Sequence, residues 1–459
     1  MRLLKGKVTG CAQWFLFGWL LTQAWFSHAV PAEGSQAALP VLRIDTRELS
    51  PQAVGSELGR LWKELFPDLE RRLDRLLSER LGRRMPLPSL VPPEVALSIG
   101  NLTASERAEL RGLSGSLDLV RETRLGDGLL SADELLLVQF LADFGASGIG
   151  SGFGVFASGG RALGPLVART IVFDPERNEG IDSIPETIVV YEQGDESVVS
   201  VAIAGSLGVT TGFNRRGLFF AVLPAVAVPA VLQSASSAEP IALAVRRALQ
   251  TSGGIDQAVR TLRDGRYGLN HSVLIADRDE VGVLELPLAG RGRLRTAMSR
   301  LHPAMAWEHR GRIAVVSCFA LAAMPSDCDD ARQHARWQHL RRLAGLDAIN
   351  RDAELVDLVQ IMRDSERPIG TGHGEPVRQV LAFAPDTLEL VIEHLNPAQG
   401  ERPREPVMQR FSSLLERSRH TNDPQWWWLV WIAILSLLMI TLWIRYRSSK
   451  REIPRSRPD

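Results

Sequence analysis

Apolar residues recur at three- and four-residue steps in much of the first 150 positions, and this spacing predicts amphipathic helices. The longest such stretch is Pro51–Leu81, where leucines lie among Glu, Lys and Arg. A second helical block begins near Thr103. A third begins at Ser131, and the glutamate three positions later is the signature of a capping box at a helix N-terminus. Residues 33–150 are therefore predicted to be mainly helical, after a short strand at Val41–Ile44.

From about residue 145 the pattern changes to short apolar runs between glycine-rich turns, which predicts β-strands. The predicted strands are 150–156, 167–173, 187–191, 198–203, 217–223, 272–276, 282–286, 312–316, 377–383 and 388–392. Two helices, at 240–250 and 255–264, interrupt the strands, and a helix-rich stretch covers 331–364. Many mainly antiparallel strands with helices in blocks predict a layered α+β domain.

The first 32 residues are typical of a secretory signal peptide. Three basic residues, Arg2, Lys5 and Lys7, precede an apolar core, and the small residues Ala29 and Ala32 follow it as cleavage positions. The alternative interpretation is an uncleaved signal anchor.

An uncharged run near the other end, Trp426–Ile444, predicts a transmembrane helix with boundaries at 424 and 446. Its nineteen residues span about 28 Å at helical rise, which is enough to cross a hydrocarbon core. Tryptophans lie at both ends of the run, and basic residues follow it, so the short tail is predicted to be cytoplasmic. Together with the signal peptide, this helix predicts a single-pass type I membrane protein. Its body would lie on the periplasmic or extracytoplasmic side, with one helix in the lipid bilayer.

Composition and charge exclude several classes of protein. The chain has 459 residues, 45% of them apolar and 23% charged, and this excludes a disordered tail protein, a disulfide knot and a polytopic transporter. Lys+Arg and Asp+Glu are both 53. Without the three bases of the first 30 residues, and the six bases and two acids of the last 15, the body holds 44 basic and 51 acidic groups, a net of −7. A body of that sign is a poor partner for phosphate backbones, so no nucleic acid is expected as a partner.

Two of the three cysteines remain in the predicted mature protein. Cys11 leaves with the signal peptide, whereas Cys318 and Cys328 lie ten residues apart in an oxidising compartment. They form either a local disulfide or two buried free thiols. The neighbouring sequence has no His or Cys pair at the spacing of metal ligands, so no metal site is expected.

Six segments of the body form a recognisable series. They are the helix at Asp133–Val138, then Gly150–Phe153, Gly205–Leu218, Asn270–Asp277, the late helices at Ala331–Leu340 and Ile361–Asp364, and the closing strands at Val377–Val391. In this order they resemble the isopenicillin N acyltransferase-like linear amide hydrolases, a family of the N-terminal nucleophile (Ntn) hydrolase superfamily.

The resemblance implies an α+β fold: a four-layer αββα Ntn-hydrolase-like sandwich preceded by a helical pro-region, here with one C-terminal transmembrane helix. The predicted parts are a signal peptide at 1–32, the helical N-terminal region at 33–150, the Ntn-hydrolase-like domain at 151–397, a juxtamembrane linker at 398–423, the transmembrane helix at 424–446 and a basic cytoplasmic tail at 447–459.

The resemblance also implies a chemistry. A peptide bond before Cys, Ser or Thr rearranges by an acyl shift and frees an α-amino group, which then serves as the general base for its own side chain. Backbone N–H groups and an Asn amide stabilise the oxyanion. The implied partner is a small-molecule amide or acyl substrate, and no cofactor is required.

The sequence departs from the family pattern at the nucleophile. No cysteine lies between Cys11 and Cys318, although the family has Gly-Cys followed by small residues and Phe. If the preceding glycine is aligned, Ser151 falls on the nucleophile. If Phe153 is aligned instead, Gly150 falls there. Hydroxyl nucleophiles occur elsewhere in the superfamily, so the chemistry permits Ser151.

Two further positions depart from the pattern. The family's Arg-Asn-x-Asp turn reads Arg169-Thr-Ile-Val172, with Asp174 as a displaced substitute for the missing aspartate. An asparagine expected in the late Thr-Asn-His-Phe-like segment is Ser317.

The resemblance therefore suggests five candidate catalytic residues, each with a structural alternative. Ser151 is the candidate nucleophile, or else a small residue at a strand entry. Arg169 and Asp174 orient the substrate or the nucleophile, although Arg169 could be a salt-bridged strand residue. Asn214 and Asn270 are candidates for an oxyanion or hydrogen-bonding role, and both could instead satisfy turns.

Two functions follow. The first is a membrane-anchored, exported Ntn-type amidase or acyltransferase that acts on a linear amide bond, with Ser in place of Cys after self-cleavage at Gly150–Ser151. The second is a catalytically degenerate relative that serves as a ligand-binding or protein-interaction module at the membrane. A conventional Ser/His/Asp hydrolase is disfavoured because the sequence has no Gly-x-Ser-x-Gly elbow between a strand and a helix.

Overall fold

Two β-sheets stacked face to face form the centre of the structure, which is a computed structural model. It describes residues 39–81, 101–143, 150–156, 164–172, 185–225, 238–325, 328, 331–345, 354–366, 377–395, 406–415, 432 and 434–444.

The first sheet has eight strands within these residues. Along the sheet they are β1 Val41–Asp45, β4 Glu186–Glu192, β5 Val198–Ile203, β6 Thr211–Asn214, β7 Phe219–Ala225, β8 Asn270–Ala276, β9 Val281–Leu286 and β10 Arg293–Arg295. Neighbouring strands are antiparallel except β1, which pairs in parallel with β4. The N-terminal region thus contributes an edge strand to the sandwich.

The second sheet has six strands in the described part of the chain, all antiparallel to their neighbours. In order along the sheet they are β11 Arg312–Val316, β2 Ser151–Val155, β3 Leu166–Val172, β12 Val377–Ala384, β13 Glu389–Leu395 and β14 Pro406–Phe411.

Aromatic and branched side chains fill the space between the two sheets. Phe383 of β12 lies with its ring centroid 4.3 Å from that of Phe213 and 5.3 Å from that of Phe219, both on the first sheet. Aromatic pairs at these distances contribute beyond the apolar area that they bury. Alternate residues of each strand therefore face this core, and the residues between them face the helices.

Helices cover the outer faces of both sheets. They are α1 Pro51–Leu65, α2 Leu69–Leu81, α3 Ala104–Ser116, α4 Ala132–Gln139, α5 Ile241–Thr251, α6 Ile255–Leu262, α7 Ala331–Ala344 and α8 Leu355–Ser365. The first six pack on the first sheet, and α7 and α8 pack on the second. The predicted α+β fold, with two sheets and flanking helices, is confirmed.

The predicted helix at Pro51–Leu81 is two helices in the structure. α1 ends at Leu65 and α2 begins at Leu69. The break arises because Phe66 precedes Pro67, and the residue before a proline is disfavoured in the helical conformation. The predicted start at Ser131 is confirmed. Its Oγ accepts a hydrogen bond from the Glu134 N–H, and a Glu134 carboxylate oxygen accepts one from the Ser131 N–H at 2.6 Å.

The polar stretch predicted as the linker, 398–423, contains a strand. β14 pairs with β13 through Pro406–Phe411, and Leu414 and Leu415 that follow are buried in the core between the sheets. Pattern alone missed this strand because it lies at the edge of the sheet and only Val407 of its six residues is buried, so it has no apolar run. The short strands β6 and β10 were missed for lack of length.

The predicted signal peptide at 1–32 and the cytoplasmic tail at 447–459 lie outside the described residues. Within the predicted transmembrane segment, residues 432 and 434–444 are helical. Among the residues that the structure describes, we find no helix with both the length and the apolar character needed to cross a membrane.

Candidate active site

Ser151 is the first residue of β2 and is completely buried. Its neighbours across the sheet are Val316 at the end of β11 and the end of β3. The peptide bond before Ser151 therefore lies at the point where the chain enters the sandwich from the N-terminal region.

The Ser151 hydroxyl contacts two polar groups on the helix-facing side of the second sheet. Its Oγ donates to Oε1 of Glu366, 2.6 Å away, and lies 3.2 Å from Oγ1 of Thr170. The Thr170 hydroxyl donates to the same Glu366 oxygen at 2.7 Å, and it accepts the Ser151 backbone N–H at 3.0 Å. One carboxylate oxygen thus receives both hydroxyls of this corner.

A buried guanidinium holds that carboxylate in place. Nε of Arg336, on α7, lies 2.7 Å from Oε2 of Glu366, which directly follows α8. The two helices that cover the second sheet therefore supply an ion pair beneath Ser151. Charge-assisted hydrogen bonds of this kind are shorter and stronger than neutral ones.

The other side of the Gly150–Ser151 peptide bond faces Ser317. The Ser317 hydroxyl donates to the Gly150 carbonyl oxygen at 3.3 Å, and the Ser317 N–H donates to Oε1 of Gln333 at 3.1 Å. The next residue, Cys318, forms a disulfide with Cys328. Of the two alternatives that the sequence left open, a local disulfide or two free thiols, the structure therefore has the disulfide.

Gly150 itself has no space for a side chain. A Cβ at this position would lie 2.1 Å from the Thr170 carbonyl oxygen. Of the two alignments of the resemblance, the one that puts Gly150 on the nucleophile therefore offers no room for any nucleophilic side chain, and Ser151 is the residue with a hydroxyl at this junction.

Arg169 lies on the opposite face of the second sheet from Ser151. Arg169 pairs directly with Gly152 across β2 and β3, so its side chain and that of Ser151 alternate to different faces. It is buried in the space between the sheets. Its Nη1 donates weakly to the Val222 carbonyl oxygen at 3.4 Å, and among the described residues its Nε has no partner. Burial lowers the pKa of Arg169 to about 9, and the carboxylate of Glu186 opposes this shift.

A small cavity opens near the same end of the space between the sheets. It has a volume of about 30 Å³, room for about one water, and Ile171, Glu186 and Gln379 line it together with the end of α4. Within the described structure, Oε1 of Gln379 has no hydrogen-bond partner. The N-terminal region thus closes this end of the sandwich.

The two candidate asparagines are engaged in backbone contacts. Nδ2 of Asn214 donates to the carbonyl oxygens of Leu249 and Ser252, and its Oδ1 accepts the N–H groups of Arg216 and Leu218. All its bonding capacity shapes the turn between β6 and β7 and its contact with α5, as the structural alternative predicts.

Asn270, at the start of β8, accepts the Leu288 N–H at 2.6 Å. The structure does not bring Asn214 or Asn270 into contact with Ser151. Asp174 lies outside the described residues. Val172, at the position of the expected aspartate, is buried in the sheet.

Sequence reasoning missed Glu366, Thr170, Arg336 and Gln333. Glu366 follows a helix that ends in Arg-Asp-Ser, and a glutamate at a helix end is usually exposed. The sequence around it therefore gives only a weak signal of a buried functional carboxylate. The packing of α7 and α8 on the second sheet brings Glu366, Arg336 and Gln333 to this corner, and the pairing of β2 with β3 brings Thr170 there.

Comparisons with known proteins give likenesses of structure. No protein-family model matches the sequence, and a search of curated proteins gives no match. The chain is similar to an N-acylethanolamine-hydrolyzing acid amidase ortholog from Caenorhabditis elegans, at 13% identity and a TM-score of 0.37, over 51% of this chain and 92% of the other.

Two further structures show a comparable likeness. One is a mutant of conjugated bile acid hydrolase from Clostridium perfringens, at 9% identity and a TM-score of 0.35, over 57% of this chain and 96% of the other. The other is penicillin V acylase from Agrobacterium tumefaciens, at 12% identity and a TM-score of 0.34, over 56% and 85%. These neighbours are Ntn-hydrolase fold members. Likeness at such TM-scores assigns neither a family nor an activity to this chain.

Proposed function

We propose that the chain is an exported Ntn-type amidase or acyltransferase that acts on a linear amide and uses Ser151 after cleavage of the Gly150–Ser151 bond. The observation that carries the proposal is the 2.6 Å hydrogen bond from the Ser151 hydroxyl to the Glu366 carboxylate, directly after a peptide bond at the entry to β2. A hydroxyl held on a carboxylate is an activated nucleophile.

Cleavage would make Ser151 the first residue of a new chain. Its free α-amine would then be the general base for its own hydroxyl in amide turnover, as in the family that the sequence resembles. Movement of the new chain end at Gly150 away from β2 would also expose the hydroxyl, which is completely buried in the intact chain. A small-molecule amide or acyl group is the expected substrate.

The test is denaturing electrophoresis of the exported full-length protein, with N-terminal sequencing of the products. We expect two fragments, the second beginning at Ser151, and a single intact chain for Ser151→Ala. A wild-type chain that stays intact and is indistinguishable from Ser151→Ala would contradict the proposal.

A second candidate is a catalytically degenerate relative that binds an amide or acyl ligand, or another protein, without turnover. The observation that favours it is that Ser151 and Arg169 point to opposite faces of the same sheet, so the two do not form one site. Val172, at the position of the expected aspartate, also favours this second candidate. A broad amide-substrate screen of wild type against Ser151→Ala distinguishes the two functions. Ser151-dependent turnover supports the enzyme, and equal background rates support the binding module.

We also propose that the body is anchored to a bilayer through residues 424–446. The support is the uncharged sequence of this segment and the exposure of apolar side chains in its described part, with Leu437 64% and Met439 68% exposed. Alkaline carbonate extraction of membranes tests this. We expect the full chain to stay in the pellet and a chain truncated after Leu415 to be released.

A further inference from the structure

Three polar groups enclose the Gly150–Ser151 peptide bond. The family resemblance gives no counterpart for Glu366, whereas Thr170 and Ser317 stand at positions where the family pattern has asparagines. All three are buried, and each contacts at least one atom of the reaction that would break this bond. We propose that they form a self-cleavage site in the intact chain, with Glu366 as the base and Thr170 as the proton relay. This proposal rests on the proposed function and deepens it.

The first step requires a base, and the intact chain has no free α-amine at Ser151 to provide one. Glu366 fills that role, because its Oε1 accepts the Ser151 hydroxyl at 2.6 Å. The Ser151 proton passes to Glu366 while Oγ forms a bond to the Gly150 carbonyl carbon. The π electrons of the carbonyl move to its oxygen, which accepts a hydrogen bond from the Ser317 hydroxyl, now 3.3 Å away.

The second step requires a second proton on the Ser151 nitrogen, so that it can leave as a free amine. Thr170 connects this nitrogen to Glu366, since its Oγ1 accepts the Ser151 N–H at 3.0 Å and donates to Glu366 Oε1 at 2.7 Å. As the tetrahedral centre collapses, the bond from carbon to nitrogen breaks. The Thr170 hydroxyl turns its hydrogen from Glu366 to the departing nitrogen and gives up that proton, and it takes the proton held by Glu366 in exchange.

The products of these steps are an ester that joins the Gly150 acyl group to Ser151 Oγ and a free α-amine at Ser151. Water then attacks the ester, the bond between carbon and Oγ breaks, and a carboxylic acid remains at Gly150. Glu366 ends the sequence as it began, a carboxylate. Arg336 is a positioning residue, because Glu366 is the only reacting group that it contacts. Its Nε donates to Oε2 of Glu366 at 2.7 Å and so holds the carboxylate in place.

The absence of a side chain at Gly150 fits this site. The Thr170 carbonyl oxygen occupies the position that a Cβ would take, 2.1 Å away. Thr170 therefore approaches the scissile bond with both its backbone and its hydroxyl, and a larger residue at 150 would push the relay away.

The experiment is cell-free synthesis of the full chain under oxidising conditions, with the intact chain and its fragments followed over time by denaturing electrophoresis. Thr170→Val keeps the shape and leaves the Glu366–Arg336 pair intact, so it isolates the relay. We expect it to slow cleavage by about 10²-fold or more, the usual contribution of a positioned proton-transfer group, and Thr170→Ser to restore most of the rate.

Thr187→Val is the matched control. Thr187 is a buried threonine on β4 whose hydroxyl accepts the Trp62 Nε1–H at 3.3 Å, far from the cleavage bond in sequence. We expect this variant to cleave at the wild-type rate.

Ser317→Ala should slow cleavage by about 10²-fold, as loss of an oxyanion donor does. Hydroxylamine should trap the ester in wild type, releasing a Gly150 hydroxamate, and should release none from Ser151→Ala.

Glu366→Gln should abolish cleavage, and Glu366→Asp should retain part of it. If Glu366→Gln fails to fold because its ion pair with Arg336 is lost, the Thr170→Val rate and the hydroxylamine trap test the proposal instead. Wild-type rates in Thr170→Val, or in a folded Glu366→Gln, would overturn the relay even where Ser151-dependent amide turnover supports the proposed function. Cleavage that depends on Thr170 and Glu366, without any amide turnover, would support the self-cleavage site and count against the hydrolase. An intact wild-type chain would overturn the self-cleavage site.

Discussion

Arg169 carries a positive charge into the core between the two sheets. Burial lowers the pKa of Arg169 to about 9. The carboxylate of Glu186 opposes this shift, but it already forms an ion pair with Arg378 at 3.0 Å. A buried charge without a full partner costs stability. Residues kept at such a cost are often functional, which makes Arg169 a candidate for contact with a ligand that enters between the sheets.

We expect Arg169→Met to raise the free energy of unfolding by about 1–4 kcal/mol at neutral pH, because it removes a poorly compensated buried charge and keeps much of the side-chain volume. Denaturant unfolding of the two proteins measures the difference. A variant less stable than wild type would mean that the contact with Val222 and the packing of the arginine outweigh its desolvation.

The same residue predicts a pH dependence. The folded state lowers the pKa of Arg169, so above about pH 9 the folded chain releases a proton that the unfolded chain keeps, and wild-type stability rises with pH there. Below about pH 9 the buried guanidinium stays charged, and its full desolvation cost destabilises the folded chain. We therefore expect the advantage of Arg169→Met to shrink by about 1 kcal/mol between pH 7 and pH 10. An advantage that stays constant would exclude titration of Arg169.

Sequence reasoning found the residues of the candidate site whose type or neighbours carry a signal. Ser151 follows a glycine before a β run, and Arg169 is the one part of the expected Arg-Asn-x-Asp turn that remains. It did not find Glu366, which reaches Ser151 across 215 residues of chain. Contacts of that separation have no local pattern. It also did not reveal that Ser151 and Arg169 face opposite ways, because their relative direction depends on the register between β2 and β3.

At the scale of elements, α1 and α3 approach unusually closely through glycines. A Cβ on Gly55 of α1 would lie 1.8 Å from the Glu109 carbonyl oxygen, and a Cβ on Gly112 of α3 would lie 1.9 Å from the Gln52 carbonyl oxygen. The backbones of the two helices therefore touch, which residues with side chains would prevent. Periodicity predicted both helices but not this crossing.

Gly112→Ala should destabilise the protein by about 1–3 kcal/mol, because overpacking of the contact outweighs the better helix propensity of alanine. Gly115 of the same helix is the matched control, since nothing lies within 4 Å of a Cβ there. Gly115→Ala should raise the free energy of unfolding by up to about 1 kcal/mol. Thermal unfolding of both variants measures the contrast, and equal effects would argue against a close helix crossing.

At the scale of the whole molecule, the N-terminal region is part of the sandwich. Leucines of α1, α2 and α4 share one core with Val189 and Tyr191 of β4, and β1 extends the first sheet beside β4. A buried ion pair between Glu109 of α3 and Arg246 of α5 adds a further connection, with the Arg246 guanidinium 4.1 Å from the centre of the Tyr191 ring.

We therefore expect the two fragments to stay together after cleavage at Gly150–Ser151. The purified protein should run as one species in size-exclusion chromatography in native buffer and as two bands under denaturing conditions, because the shared core survives the loss of one peptide bond. Separation of the fragments in native buffer would mean that the Gly150–Ser151 peptide bond, and not the shared core, holds the two parts together.

The sequence by itself determined the class of the fold, the positions of most strands and helices, and the capping box at Ser131. These features depend on neighbours a few residues apart, which local pattern records. Only the tertiary structure decided that β14 extends the second sheet, that Cys318 pairs with Cys328, and that a carboxylate after α8 meets the first residue of β2. These features depend on which faces of distant elements are buried against each other. Hydrophobic burial has no direction of its own, so the register and packing of whole layers are what bring particular polar groups together.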